Sequence, residues 1–194
     1  SSPDTDSLCN ALSEVKIPAA QRTGALWDDV AKPCRVEPLA EAKGLAALAA
    51  TEHLAGGRGA AGPTLIVVNR VERAVEIFDA LGRDKQLHGT DLQLVHSRFR
   101  PHDRSGWRES FLSRDTSGPG TDRIIVATQV IEAGIDLSAG VLISDLAPWS
   151  SLVQRFGRCA RWGGTASVIV CDFLAGVAND EGRCAKEALP YEPK

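Results

Sequence analysis

Five short apolar runs, most of them followed by a helical pattern, leave this chain few ways to fold. They are Thr64–Asn69 (TLIVVN), Leu92–Val95, Arg123–Thr128 (RIIVAT), Val141–Ser144 and Ala166–Cys171 (ASVIVC). Runs this short with so little polar alternation read as strands covered on both faces, which is the habit of a parallel sheet. Val71, Ala74, Val75, Phe78 and Leu81 stand at offsets 0, 3, 4, 7 and 10 and predict an amphipathic helix closed by Gly82. Pro101 can open a helix running to about Leu112, and another lies around Ser151–Gly157. Upstream, Leu39, Ala42, Leu45, Ala46, Ala49 and Leu54 share one face of an Ala-rich helix that the loop Gly56–Pro63 ends. Strands alternating with helices specify a three-layer α/β domain, a central mostly parallel sheet with helices on both faces. Ligands bind such sheets beyond the carboxyl ends of the strands. The loops after Asn69, Val95, Thr128 and Ser144 are therefore where chemistry is expected.

A length of 194 residues suits one domain, and an aromatic content of 5% leaves the core to Ala, Val, Ile and Leu. We place a lead-in or linker at 1–36, marked by Pro3, Pro18 and Pro33, with a short helix expected at Leu8, Leu12 and Val15. The folded domain then spans 37–172, and 173–194 is a polar tail. A net charge of -3 gives no general signal for nucleic acid, so any such binding needs a local basic patch. Five cysteines, odd in number and without a Cys-x-x-Cys pair, argue against a disulfide framework or a zinc site and for reduced thiols in a cytoplasmic protein. No signal peptide is visible, and no apolar run approaches the roughly 20 residues that span a bilayer. Methionine is absent even at position 1, which reads as a fragment of something longer.

Two stretches carry the strongest chemistry. In Gln154–Arg161 (QRFGRCAR), Arg158 and Arg161 are three apart, so on a helix or its margin they project from one side. Two planar, permanently charged forks match the oxygens of a phosphoryl group in transfer. A solvated basic helix face is the bland alternative, but Gly157 and the position just past a strand favour function. In Val126–Gly140 (VATQVIEAGIDLSAG), Thr128 ends a strand, Gly134 permits a turn that a side chain would block, and Asp136 can accept from a ribose hydroxyl. A capping Asp on an ordinary strand–turn would explain either residue alone, not the set.

Together these stretches resemble motifs V and VI of superfamily 2 helicases, the T-x-x-x-x-x-G-x-D and Q-R-x-G-R-x-x-R patterns. LVHSRFRPHDR at Leu94–Arg104 resembles the His-Ser-Arg-Phe element of the CRISPR-associated helicase–nuclease family of type I interference, and TLIVVNRVERA at Thr64–Ala74 resembles its motif IV. The resemblance runs over roughly Thr64–Cys171 in the same order. It implies a RecA-like domain of the P-loop NTPase type, the second motor domain of an ATP-dependent helicase or translocase. On that reading Arg158 and Arg161 are arginine fingers reaching ATP on the first motor domain, and Gln154 couples to the attacking water. Gly134 and Asp136 touch the nucleotide's sugar. Asn69, His96, Ser97, Arg98, Thr128 and Gln129 hold the backbone of single-stranded DNA. Arg70 departs from the pattern, standing where the family has a small hydroxyl residue.

The partners implied are the first RecA-like domain, single-stranded DNA (or RNA) and a CRISPR surveillance complex; no metal site of its own is expected. The sequence contains no G-x-x-x-x-G-K-[ST] loop and no Asp-Glu pair after an apolar strand. ATP with Mg2+ is thus expected to be bound mainly by the first motor domain, and this chain alone to be inactive. The competing readings are the second half of another superfamily 2 motor, such as an RNA helicase, and a non-catalytic RecA-like nucleic-acid-binding adaptor; the latter should have lost Arg158 or Arg161. Four further features are set aside. Gly57–Gly62 spells G-x-G-x-x-G but precedes its strand, so it reads as a flexible loop. His102–Asp103 is read as a helix cap, and His53 and His88 as solvent-exposed. Trp107, Trp149 and Trp162 could stack on bases, but partial burial is the commoner fate of a lone Trp, and Trp149 after the fourth strand is the one to watch.

Overall fold

The apolar runs become strands because both of their faces are covered. The computed structural model describes residues 18–24 and 28–174. In chain order its strands are β1 (Val30–Ala31), β2 (Cys34–Pro38), β3 (Thr64–Val67), β4 (Asp91–Val95), β5 (Arg123–Ala127), β6 (Val141–Asp145), β7 (Gly164–Thr165) and β8 (Ser167–Asp172). Six of them form a sheet in the order β2-β8-β6-β3-β5-β4, every pairing parallel. β1 and β7 make a separate two-stranded pair.

Successive residues along each central strand enter opposite cores. Ile66, Ile124, Val126, Ile143 and Ile169 face one side, where helices α1 (Ala42–Ala55) and α2 (Val71–Gly82) pack. Leu65, Val67, Ile125, Leu142 and Val168 face the other. That second face is covered by pieces: Phe111 and Leu112, Ile131, Leu137, and Phe156 of helix α5 (Trp149–Phe156). The continuous helix expected from Pro101 to Leu112 is instead two short turns, α3 (Pro101–Arg104) and α4 (Trp107–Ser110). Ser105 and Gly106 break it, as Gly in a helix interior costs about 1 kcal/mol against Ala.

Three other expectations need correction. The lead-in does not stop at residue 36, because β2 is the edge strand beside β8, with Cys34 opposite Val168 and Pro38 opposite Asp172. Proline and a charged Cys-Arg-Val-Glu alternation hid it, and both are typical of an edge. On α2 the buried stripe is Ala74, Ile77 and Leu81 with Phe78 beside it, while Val75 is 37% exposed. Gly57–Gly62 is a loop, but a tightly packed one. A Cβ on Gly59 would stand 1.9 Å from the Thr121 carbonyl oxygen, at a φ of +88° that only glycine adopts freely. The short helix expected at Leu8–Val15 and the tail from residue 175 onward lie outside the described residues.

Candidate nucleotide and nucleic-acid site

From β3 the chain builds rightward to β5 and β4, then returns leftward to β6 and β8. The reversal opens a crevice at the carboxyl ends of β3, β5 and β6, the place where open α/β sheets bind ligands. After β5, Thr128 leads into a single 3-10 turn, Gln129–Ile131, and then a bend through Gly134 at φ +71°. After β6 the chain enters α5 at Pro148 and leaves it at Gly157.

These two segments meet in one open cleft of about 660 Å³. Gln154, Arg158, Arg161, Gly134 and Asp136 all line it, joined by Arg108, Arg114 and Asp115. Four arginines against two aspartates make this a basic patch on a chain whose net charge is -3. Arg108 and Arg114 lie between β4 and β5, past the Leu94–Arg104 stretch, and neither carried a functional expectation. Their contribution was hidden because nothing in the spacing ties that segment to the motif strands.

Arg158 and Arg161 share the cleft but not a helix. α5 ends at Phe156, and the turn between the two passes through Ala160 at φ +40°, a left-handed conformation that costs a non-glycine residue about 1 kcal/mol. Arg158 is buried, and its two terminal nitrogens donate to the Glu132 and Ile135 carbonyl oxygens. Its Nε has no partner among the described residues. Burial, then the neighbouring Arg161, pull its pKa below the ordinary guanidinium value. Arg161 stays at the rim, 41% exposed by side chain, with Nε 3.1 Å from Asp136 Oδ1. Its amide donates to Ser138 Oγ at 2.9 Å. Arg161 therefore lies open at the cleft rim, while Arg158 is bonded into the Glu132–Ile135 loop.

The predicted nucleic-acid residues sit on the adjoining ends of β3, β5 and β4, and they divide by exposure. Ser97 and Arg98 are exposed, and Arg98 Nη1 pairs with Glu72 Oε1 at 2.6 Å. Asn69, His96 and Thr128 are buried. Thr128 donates its amide to the Val95 carbonyl oxygen at 3.0 Å, which ties β5 to β4. Gln129 Nε2 donates to the Asn69 carbonyl at 2.9 Å. The Asn69 side chain is already engaged, giving Nδ2 to the Leu146 carbonyl at 2.8 Å and accepting at Oδ1 from Arg155 at 3.0 Å. Both polar ends of the Asn69 side chain are therefore taken up within the protein in this structure. His96 stacks on Phe99 with centroids 4.2 Å apart, and its Nδ1 is buried with no partner among the described residues. Burial, reinforced by Arg98, lowers its pKa, so the ring is neutral at pH 7.

The sequence reading missed Arg155. It is fully buried, and its guanidinium donates to Glu132 Oε1 (2.9 Å), Ser144 Oγ (2.9 Å), the Asp145 carbonyl (3.2 Å) and Asn69 Oδ1 (3.0 Å). A buried ion pair of Arg73 and Asp145 (2.8 Å) lies beside it, and Asp145 Oδ2 also accepts the Asn69 amide at 2.9 Å. Burial raises the Asp145 pKa, opposed by Arg73. Two of the set-aside residues also resolve. His53 is fully buried, bridging Thr64 Oγ1 and Asp122 Oδ1 at 2.9 Å each, so the expectation of exposure fails. Trp149 is 72% exposed.

An all-parallel sheet carrying a Gly-x-Asp turn and a Gln-Arg-x-Gly-Arg-x-x-Arg stretch on one crevice is the second RecA-like domain of a superfamily 2 helicase. Residues 60–163 match the family described as CRISPR-associated nuclease/helicase Cas3, C-terminal, and the chain belongs to that family. It is 31% identical over 133 residues to the CRISPR-associated helicase Cas3 of Thermoproteus tenax, 67% of this chain and 22% of that protein. The T. fusca Cas3-ADP crystal structure aligns with a TM-score of 0.60 at 28% identity, over 71% of this chain and 18% of that one. A chain of a pre-nicking CRISPR RNA-guided surveillance complex aligns with a TM-score of 0.55 at 26% identity, over 72% of this chain and 19% of that one. The chain spans less than a quarter of the length of the curated relatives it matches. No helix among the described residues is long and apolar enough to cross a membrane.

Proposed function

We propose that this domain is the second motor domain of an ATP-driven helicase of CRISPR interference, closing over ATP on a first motor domain while gripping single-stranded DNA. The observation that carries this is the cleft shared by Gln154, Gly134, Asp136, Arg158 and Arg161. The side chains suit a nucleotide: arginines in excess for the phosphates, and an exposed Asp136 carboxylate to accept from sugar hydroxyls. Magnesium belongs on this reading to the first motor domain, since the chain has no Asp-Glu pair after an apolar strand. Hydrolysis of ATP supplies the free energy that moves the two halves.

Within this chain the labour divides. Arg161 meets charge developing on the phosphoryl oxygens, where a positioned fork is most effective. Arg158 keeps the Glu132–Ile135 loop in shape, so that Asp136 and Gly134 stand where the sugar lies. Gln154, exposed on the last turn of α5, orients water. Ser97 and Arg98 hold the strand backbone, contacts that position without reading sequence. Thr128, Gln129, Asn69 and His96 form the platform beneath them. The similarity to the T. fusca Cas3-ADP structure supports the nucleotide, and that to the surveillance-complex chain supports a CRISPR surveillance complex as partner.

The test compares steady-state ATP turnover of this chain with that of a protein containing both motor domains, each with and without single-stranded DNA. The chain alone is expected to stay at background, and the two-domain protein to turn over and respond to DNA. Turnover by the isolated chain, or a two-domain protein inert towards ATP, would contradict the reading.

A further inference from the structure

Trp149 lies open to solvent where the other described tryptophans do not. It is 72% exposed, whereas Trp107 is half-buried against Phe99 and Phe111, and Trp162 half-buried beneath the Arg114 guanidinium. Leu146, three residues earlier, and Val153, one helical turn later, are exposed as well. Three of the five large apolar side chains exposed among the described residues thus fall within eight consecutive positions. Single exposed apolar residues are ordinary, but a group of them marks a contact surface. Phe156 meets the indole at 80° with centroids 6.4 Å apart, which limits its swing and leaves most of the ring in water.

The place of this patch in the sheet says what touches it. Across the carboxyl edge the order β4, β5, β3, β6 carries Ser97 and Arg98, then Thr128 and Gln129, then Asn69, then Leu146. Gln129 Nε2 donates to the Asn69 carbonyl and Asn69 Nδ2 to the Leu146 carbonyl, so the last three ends are tied together. Three inter-strand steps of about 4.8 Å set β6 about 14 Å from β4. That is the length of roughly four nucleotides at a stacked rise of about 3.4 Å. The sequence from Leu146 to Cys171 holds no Asp or Glu but does hold Arg155, Arg158 and Arg161, so nothing in this stretch repels a polyanion.

We propose that Trp149 is a stacking surface for a base of the single strand whose backbone Ser97 and Arg98 hold. This inference rests on the proposed grip on nucleic acid. Phosphate contacts position a strand and leave its bases unheld. An indole face can take any of them, because every base has a π-face, so the contact adds affinity without reading sequence. Leu146 and Val153 give the base edge an apolar surround. The patch continues the line of strand-holding ends and carries no carboxylate, and both features favour a nucleobase over a protein surface as its occupant.

The experiment uses a protein with both motor domains and measures its affinity for two probes, an oligothymidylate and an abasic strand of the same length, over a range of salt. Trp149→Ala is expected to weaken binding of the thymine strand about tenfold, within the range for one stacked base, and to leave the abasic strand unaffected. Its log–log salt slope should match the parent's, since no phosphate contact is lost. Trp149→Phe keeps an aromatic face and should retain most of the affinity, whereas Trp149→Leu keeps only apolar bulk and should lose nearly as much as alanine. Melting points on the same preparations establish that each variant is folded. A folded Trp149→Ala protein that binds the thymine strand as the parent does overturns the inference. An equal loss on both strands also overturns it, because the patch then serves a protein contact, and so does full rescue by leucine. Arg98→Ala is the control on the underlying reading and should weaken both strands and flatten the slope. If the parent binds neither strand, or Arg98→Ala changes nothing, it is the proposed grip on nucleic acid that falls.

Discussion

Replacing Arg155 with methionine should destabilise this chain severely. Methionine keeps the packed stem and removes the guanidinium. The Glu132 carboxylate, 17% exposed, then loses its partner, and Asn69 Oδ1 and Ser144 Oγ lose donors in a buried setting. An unsatisfied neutral acceptor costs roughly 1 kcal/mol and a stranded, largely buried carboxylate about 2 or more, which sums to about 3–5 kcal/mol. Against a total stability of about 5–15 kcal/mol, that is a large share. For a chain of this size it corresponds to a melting point lower by roughly 6–20 °C. Adding Glu132→Leu removes the stranded charge and should recover at least about 1 kcal/mol, since replacing both members of a buried pair by apolar groups is often neutral. Urea unfolding of parent, single and double variants measures this as midpoint shifts at constant m. A single variant that loses less than about 1 kcal/mol, or a double variant no better than the single, would refute the reasoning.

Gly59→Ala should cost at least about 2 kcal/mol, because its Cβ would overlap the Thr121 carbonyl. Gly120→Ala, at a similar φ of +83° but with open space around it, should cost only about 1 kcal/mol of backbone strain, so equal melting points for the two would count against the packed loop. Burial pushes the Cys159 and Cys171 thiols up to about 11 and about 12, so neither should react with a thiol reagent at pH 8 while the chain is folded, whereas exposed Cys34 should. As pH rises above the unfolded value near 9 the thiolate forms only in the unfolded chain. Each of these thiols then removes about 1.4 kcal/mol of stability per pH unit until its folded value is reached, and Cys159→Ala should blunt that alkaline loss. Arg98→Ala should weaken single-stranded DNA binding equally for unrelated sequences and flatten its log–log salt slope by about 1. Glu72→Gln, which frees Arg98 from its ion pair, should strengthen binding, and a loss confined to one sequence would mean that Arg98 reads bases.

What the sequence made legible follows from where single residues dominate. Ile66, Ile125 and Leu142 lie in runs buried on both faces, so the parallel sheet could be read from them directly. Gly134, Asp136, Gln154 and Arg161 keep a spacing that their shared cleft demands. β2 was not legible, because an edge strand with proline and charge alternation carries little apolar signal. Nor was Arg155: a buried arginine looks like a surface one until Glu132, Ser144 and Asn69, distant in the chain, are brought around it. His53 hid for the same reason, its partners Thr64 and Asp122 coming from other elements. Charge in a sequence reports solvation by default, and only the fold reveals when it is paired inside.

The proposed motor role is tested most directly by the turnover number of Arg161→Ala and Arg161→Lys in a protein with both motor domains, measured with nucleotide affinity and melting point on the same preparations. Arg161 is exposed at the cleft rim with an exposed carboxylate as its ion-pair partner, so its loss should barely move stability. Acting on the transition state, it should cost about three orders of magnitude or more in kcat while affinity changes little, and lysine should not rescue it. An Arg161→Ala protein that binds ATP and turns over at the parent rate would contradict the account.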